Sequence, residues 1–270
     1  MKNKELKIGL ALGSGGFRGL AHIGVLKVLE ENGIKISYLS GSSIGGLVAA
    51  YYAFLKDAKQ LEKEVEAWPI NSLYKFIDLS WTSGIITGNK FDSFLNKRFG
   101  DLNFSKTKIP LKIVATNLLD GREVVLSSGK LTDAIRATIS VPLMFRPRKI
   151  GTKLLVDGAL SSPVPINTIK EMGADIFIGV NLYHKNEFIE KKFTMSQVAL
   201  RSTRIVLYNL ANIDVRQAHI TIRPDTSAII TNASLKKYNF ETVKKLIKIG
   251  EDSARRALPK IKELLNKNTK

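Results

Sequence analysis

The chain has 270 residues, 44% hydrophobic and 8% aromatic, a composition that buries a core and excludes a disordered polypeptide. It holds no cysteine, which removes disulfides, thiolate nucleophiles and cysteine-ligated zinc, and it leaves only His22, His184 and His219 for imidazole chemistry. Forty-two lysines and arginines against 24 aspartates and glutamates give a net charge of +18, which attracts polyanions such as nucleic acid or an anionic lipid surface.

In chain order, Lys2, Lys4 and Lys7 precede the apolar run Ile8 to Leu12, which is too short for a signal peptide. No stretch approaches the roughly 18 apolar residues of a membrane-spanning helix. The expectation is a cytoplasmic protein, peripheral to a membrane at most. Apolar periodicity predicts a strand from Lys7 to Leu12, a glycine loop, a helix from Leu20 to Asn32, a strand from Ile34 to Leu39 and a helix from Ile44 to Leu61. Further strands are predicted at Leu111 to Thr116, Glu123 to Ser127, Lys153 to Val156, Asp175 to Asn181 and His219 to Arg223. Helices are predicted at Lys130 to Thr138, Ile166 to Met172, Met195 to Ile213 and Phe240 to Leu258. Alternation of strand and helix implies a parallel sheet covered on both faces, and the absence of repeats or Pro/Gly-rich linkers implies one domain over residues 1–270.

Two stretches depart from this alternation. Residues 68–100 carry both tryptophans and five further aromatic residues among prolines, glycines and serines, which suits either a lid that seeks an interface or a satellite of the core. From Lys236 to Lys270, eleven basic residues face four acidic ones, on a helix that offers either a solvated face or a contact surface.

Gly41-Ser42-Ser43-Ile44-Gly45 lies between a predicted strand and a predicted helix. In that context G-x-S-x-G places a serine on a sharp turn with its hydroxyl exposed, making Ser43 a candidate nucleophile; a plain Gly/Ser loop is the alternative. The flanking glycines are expected to supply backbone angles closed to residues with a Cβ. Upstream, Gly13-Ser14-Gly15-Gly16-Phe17-Arg18-Gly19 joins the first strand to the first helix, where unpaired N–H groups meet an anion. The dinucleotide fingerprint fails, because Arg18 stands where its last glycine belongs and no carboxylate ends the next strand. An oxyanion hole at Gly15 and Gly16 is the better reading. No histidine has a neighbourhood suited to an elbow, with His22 read as packed. Asp157, in Asp157-Gly158-Ala159, ends a predicted strand and is read as either a base or a turn residue.

The three motifs in this order resemble those of the patatin-like phospholipases, and Ile135 to Pro142, Pro163 to Asn181 and Ala228 to Ala254 are similar to that family as well. Ser14 and Ala159 stand where glycines are commoner. The resemblance implies a three-layer α/β/α fold with a central, mostly parallel sheet, and a Ser–Asp dyad of Ser43 and Asp157. It also implies oxyanion donors at Gly15 and Gly16, and a basic residue, Arg18, that steadies the loop or meets a substrate phosphate. No metal and no cofactor are implied. The expected substrate is a phospholipid or related acyl ester, with possible peripheral contact to an anionic membrane and no nucleic acid as partner. A soluble carboxylesterase or thioesterase is the alternative, and a nucleotide or nucleic-acid binding module a more distant one.

Overall fold

Strand β1 (Ile8–Leu12) is buried along its whole length, the mark of a central strand covered on both faces. Ile8, Leu10 and Leu12 enter one hydrophobic cluster, while Ala11 joins another on the opposite face. The computed structural model describes residues 6–67, 89–142, 144–185, 195–230 and 239–268.

After β1 come α1 (Ala21–Glu31), β2 (Ile36–Ser42), α2 (Ile44–Leu55), α3 (Ala58–Glu66) and α4 (Asn89–Phe99). The middle of the chain forms β3 (Leu111–Asn117), β4 (Glu123–Leu126), α5 (Leu131–Thr138), β5 (Arg148–Ile150) and β6 (Lys153–Asp157). It closes with α6 (Ile166–Glu171), β7 (Ile176–Val180), α7 (Met195–Asp214), β8 (Ile220–Ile222), α8 (Ser227–Ile230) and α9 (Phe240–Asn268). Strands β3, β2, β1, β7 and β8 are successive parallel neighbours, and β4, β5 and β6 add antiparallel pairings. Residues of α1, α2 and α9 pack on one face, and residues of α6 and α7 on the other. The result is the three-layer α/β/α arrangement around a mostly parallel sheet.

One edge of β3 positions the site. Strand β4 lies along Ile113 to Thr116, so β2 and β6 must share the other edge. Strand β2 pairs with Leu111 to Val114 and runs parallel to β3, whereas β6 pairs with Ala115 to Asn117 and runs antiparallel. The two strands therefore approach each other from opposite directions, and each ends where the other does.

Several elements differ from the sequence expectation. The helix expected from Ile44 to Leu61 is two helices: Lys56 takes a left-handed conformation with φ 54°, and the Asp57 carboxylate caps α3 by accepting the Gln60 N–H at 2.8 Å. Helix α9 continues through Pro259 to Asn268, because buried Ile261 and part-buried Leu264 and Leu265 hold the turns beyond the proline against the core. Strand β5 was not expected; it forms a hairpin with β6 across Gly151, which has φ 58°. Of the stretch 68–100, residues 68–88 lie outside the described residues. The rest forms α4, which buries Leu95 and Phe99, the latter edge-on to Tyr51 at 4.3 Å between ring centroids.

Candidate active site

Ser43 is the residue between β2 and α2, with φ 54° and ψ −127°. A left-handed φ on a residue with a Cβ stores strain, and surrounding contacts must hold it there. Three such contacts are present. The Ser43 N–H donates to Thr138 Oγ1 at 2.7 Å, that hydroxyl donates to the Val114 carbonyl, and the Ser43 carbonyl accepts from the Gly46 and Leu47 N–H groups that open α2. The flanking glycines play a different part from the one expected. Neither Gly41 nor Gly45 has a left-handed φ, and the strained residue is the serine itself. Space is what excludes a side chain: a Cβ on Gly45 would lie 2.1 Å from the Leu12 carbonyl oxygen, where α2 starts against the end of β1.

Asp157, the last residue of β6, meets Ser43 directly. The Ser43 hydroxyl donates to Asp157 Oδ2 at 2.6 Å, and Oδ1 accepts the Ala159 N–H at 2.8 Å. The Asp157 main chain is fixed too, since its N–H donates to the Ser140 carbonyl and its carbonyl accepts from Thr116 Oγ1. The carboxylate is 4% exposed and Ser43 6%. Burial drives the Asp157 carboxyl up to about 6, against the lowering effect of the bonds from Ser43 and Ala159. The aspartate is thus a stronger base than the unperturbed group the sequence leads one to assume.

Gly158 lets the two strand ends touch. A Cβ there would sit 2.1 Å from the Val114 carbonyl oxygen and 2.8 Å from Ser42 Oγ.

The glycine loop follows β1. Gly16 has φ 58°, which glycine tolerates without a Cβ penalty. Among the described residues no acceptor takes the Gly15 N–H, and Gly16 opens the short turn Gly16–Leu20, so its N–H has no partner within that turn. Arg18 points inward: its Nε donates to the Gly15 carbonyl at 2.9 Å, one Nη donates to the Leu182 carbonyl at 3.1 Å, and the guanidinium stacks 4.9 Å from the Tyr183 ring centroid. Because a trans peptide directs its C=O and N–H to opposite sides, the grip on the Gly15 carbonyl also fixes the direction of the Gly16 N–H. These two bonds join the loop to the segment after β7. Ser14 Oγ bonds Tyr183 Oη at 2.9 Å and ties the same loop to the segment after β7.

The histidines lie elsewhere. His22 is fully buried, bonds the Gly13 carbonyl at 2.7 Å, and is held by burial at about 4, so it is a neutral packing group. His219 Nδ1 accepts the Phe177 N–H, and His184 lies near Asp225.

Sequence reasoning had assigned no role to Thr138, Ser140 or Tyr183. Thr138 and Ser140 are fully buried polar residues at the end of α5, one bonded to Ser43 and the other to Asp157. The available signal was two hydroxyl residues closing an apolar helix face, which gives no partner.

A family model described as Patatin-like phospholipase matches residues 10–169, more than half of the chain. An uncharacterized NTE family protein of Mycobacterium tuberculosis is 35% identical over 183 residues, which cover 65% of this chain and 49% of that protein. Lysophospholipase nte1 of Aspergillus fumigatus is 32% identical over 179 residues, which cover 65% of this chain and 12% of that protein. The match thus spans about half the length of the mycobacterial relative and a small part of the fungal one. Among solved structures, VipD from Legionella pneumophila aligns with a TM-score of 0.63 at 14% identity, over 95% of this chain and 67% of that one, a likeness of fold.

Proposed function

The chain belongs to the patatin-like phospholipase family, and on that premise we propose that it hydrolyses lipid acyl esters with Ser43 as nucleophile and Asp157 as its base. The observation that carries the reading is the 2.6 Å bond from the hydroxyl of a strained elbow serine to a buried carboxylate. Asp157 takes the hydroxyl proton as Ser43 Oγ attacks the ester carbonyl. The N–H groups of Gly15 and Gly16, together with the N-terminus of α2, stabilise the negative oxygen of the tetrahedral intermediate. The alcohol leaves with the proton returned by Asp157, and water then hydrolyses the acyl-enzyme with the same carboxylate as base.

Arg18 acts here through the loop, holding the Gly15–Gly16 peptide in its donating orientation. Thr138 and Ser140 hold the backbone of the nucleophile and of the base in turn. The unit that performs the reaction runs from β1 to α9 as one domain, since α1, α2 and α9 share a cluster with β1, β2 and β8.

The fungal relative's name, lysophospholipase, makes a single-chain phospholipid the first substrate to try. Purified protein is to be assayed on lysophosphatidylcholine and on p-nitrophenyl esters of increasing chain length. The proposal expects fatty acid release from the lysophospholipid and rates that rise with acyl length. Turnover confined to the shortest esters would replace the lipid reading with that of a small-ester hydrolase.

A further inference from the structure

We infer that Arg136 is a positioning residue for Ser43 and Asp157, a buried guanidinium that sets the exit of α5 on which both depend, with Asp92 of α4 as its counter-ion. The inference rests on the acyl-ester reading above and names the group that holds its geometry from behind.

The exit of α5 carries a hold on each member of the pair. Thr138, the last residue of the helix, accepts the Ser43 N–H on its hydroxyl, and Ser140, two positions on, accepts the Asp157 N–H on its carbonyl at 3.0 Å. Past a helix end the backbone no longer has the ladder that fixes it, and side chains must supply the constraint. Arg136 supplies it here. Its Nη1 donates to Ser140 Oγ at 2.9 Å, and that hydroxyl donates in turn to the Arg136 carbonyl at 2.8 Å. The side chain and the main chain of Arg136 thus close on Ser140 together.

The guanidinium is itself held from α4. Arg136 is 4% exposed, and an arginine so deep needs a partner. Among the described residues Asp92 is the one carboxylate paired with it, at 2.9 Å from Nε to Oδ1, and its flat face stacks 4.9 Å from the Phe145 ring centroid. Phe145 in turn lies 6.1 Å from Phe91, the neighbour of Asp92 on α4. Asp92 Oδ2 also faces Arg148 Nη1 at 3.7 Å, and Arg148 Nη2 donates to Asp133 Oδ1 at 2.5 Å. The series Arg136, Asp92, Arg148, Asp133 alternates in sign and ties α4, α5 and β5 together. Strand β5 pairs with β6, which ends on Asp157.

Two contributions of Arg136 can be separated. As half of a buried ion pair it can be removed together with Asp92 at little cost in stability, whereas removal of one member strands the other. The bond to Ser140 is lost with the guanidinium in either case. If that bond sets the pair, turnover follows it and stability does not, since a misplacement of about 1 Å costs on the order of 100-fold in rate.

Asp92→Asn, the double variant Arg136→Met with Asp92→Asn, and Ser140→Ala are compared with the unsubstituted protein. The readouts are thermal melting, kinetics on a dissolved short-chain p-nitrophenyl ester, and site-resolved amide hydrogen exchange. Asp92→Asn should lower the melting midpoint by about 5 °C or more, and the double variant should regain most of that loss. Its turnover should not recover: kcat is expected to stay about 10- to 100-fold down, with KM held within about twofold. Ser140→Ala keeps the ion pair and the Ser140 carbonyl, and should lose about tenfold or more in kcat. In both, exchange at the Ser43 and Asp157 amides should quicken about tenfold or more while the amides of β1 stay protected. If the double variant melts too low to assay, Ser140→Ala decides by the same readouts. Return of kcat together with stability in the double variant, full kcat in Ser140→Ala, or unchanged exchange at both amides overturns the inference. A raised KM with intact kcat does so too, since the guanidinium would then act on the substrate. Absence of ester turnover in the unsubstituted protein counts against the ester reading alone, and the exchange comparison still decides whether Arg136 holds the pair.

Discussion

Ser42 and Asp157 are the last residues of two strands that meet end to end, paired with the consecutive residues Val114 and Ala115 of β3. Their shared edge brings a serine and an aspartate 114 positions apart into a 2.6 Å hydrogen bond. Each consequence below follows from that junction or from the groups that hold it.

Thr138→Val keeps the shape of the side chain and removes its hydroxyl, which leaves the buried Ser43 N–H without its acceptor and the Val114 carbonyl without that donor. An orphaned buried donor costs about 1–3 kcal/mol. The expected outcome is a fall in kcat of roughly 10- to 100-fold with little change in KM, and Thr138→Ser should restore most of it. Steady-state kinetics of both variants check this, and full activity in Thr138→Val would show that the elbow holds without the clamp.

The Asp157 carboxyl, raised to about 6 by burial, sets a pH profile. Ionised Asp157 is the base, so kcat/KM should rise with unit slope below about pH 6 and level off above it. Stability runs the other way. The folded-state value lies above the unfolded one of about 3.9, so the folded protein binds the proton more tightly. The stability this gives is complete below about pH 4 and lost as pH rises through about 6. Asp157→Asn removes the charge and keeps an acceptor for the Ala159 N–H and a donor toward Ser43. It should therefore stabilise the fold above pH 6 by up to about 3 kcal/mol. Asp214, raised to about 6 chiefly by burial, remains in both proteins and cancels from the comparison. Denaturant melts of the two proteins at pH 7.5 and at pH 4 test the sign, and an unchanged difference between the two pH values would contradict it.

Gly158→Ala places a methyl group 2.1 Å from the Val114 carbonyl oxygen, at the junction of β6 with β2. Backbone must move, at a cost of about 1–3 kcal/mol or more, and the Ser43–Asp157 distance must change with it. Loss of both melting temperature and turnover is expected. A variant of full stability and activity would mean that the junction is looser than its geometry.

Arg18→Lys preserves the charge but not the fork that reaches two carbonyls at once. If Arg18 acts through the loop, kcat falls about tenfold or more while KM holds. A raised KM with intact kcat would instead put the guanidinium on the substrate.

What the sequence discloses follows the range of the interactions. The elbow at Ser43 is local, written in a strand, a turn and a helix within about 20 residues, and it is readable without the fold. The strained residue is less so, because the glycines draw attention although the serine carries the left-handed φ. At its strand end Asp157 reads as either a base or a turn residue, and only the resemblance of the three motifs favours the base; β6 is antiparallel, and the register along β3 explains why its end reaches Ser43. Thr138 and Tyr183 make their decisive bonds across 95 or more positions, Ser140 makes its own through its backbone carbonyl to the Asp157 N–H, and no spacing in the chain announces them. The break at Lys56 and Asp57 was hidden by an apolar pattern that runs on to Leu61, which is buried in the second helix just as it would be in one.

The central claim is that the Ser43 hydroxyl is activated by Asp157, and labelling with a fluorophosphonate followed by peptide mapping addresses it most directly. The account predicts one modified residue, Ser43, no labelling in Ser43→Ala, and labelling slowed by about 100-fold or more in folded Asp157→Asn. Modification of a different serine, or labelling of Asp157→Asn at the unsubstituted rate, would contradict it.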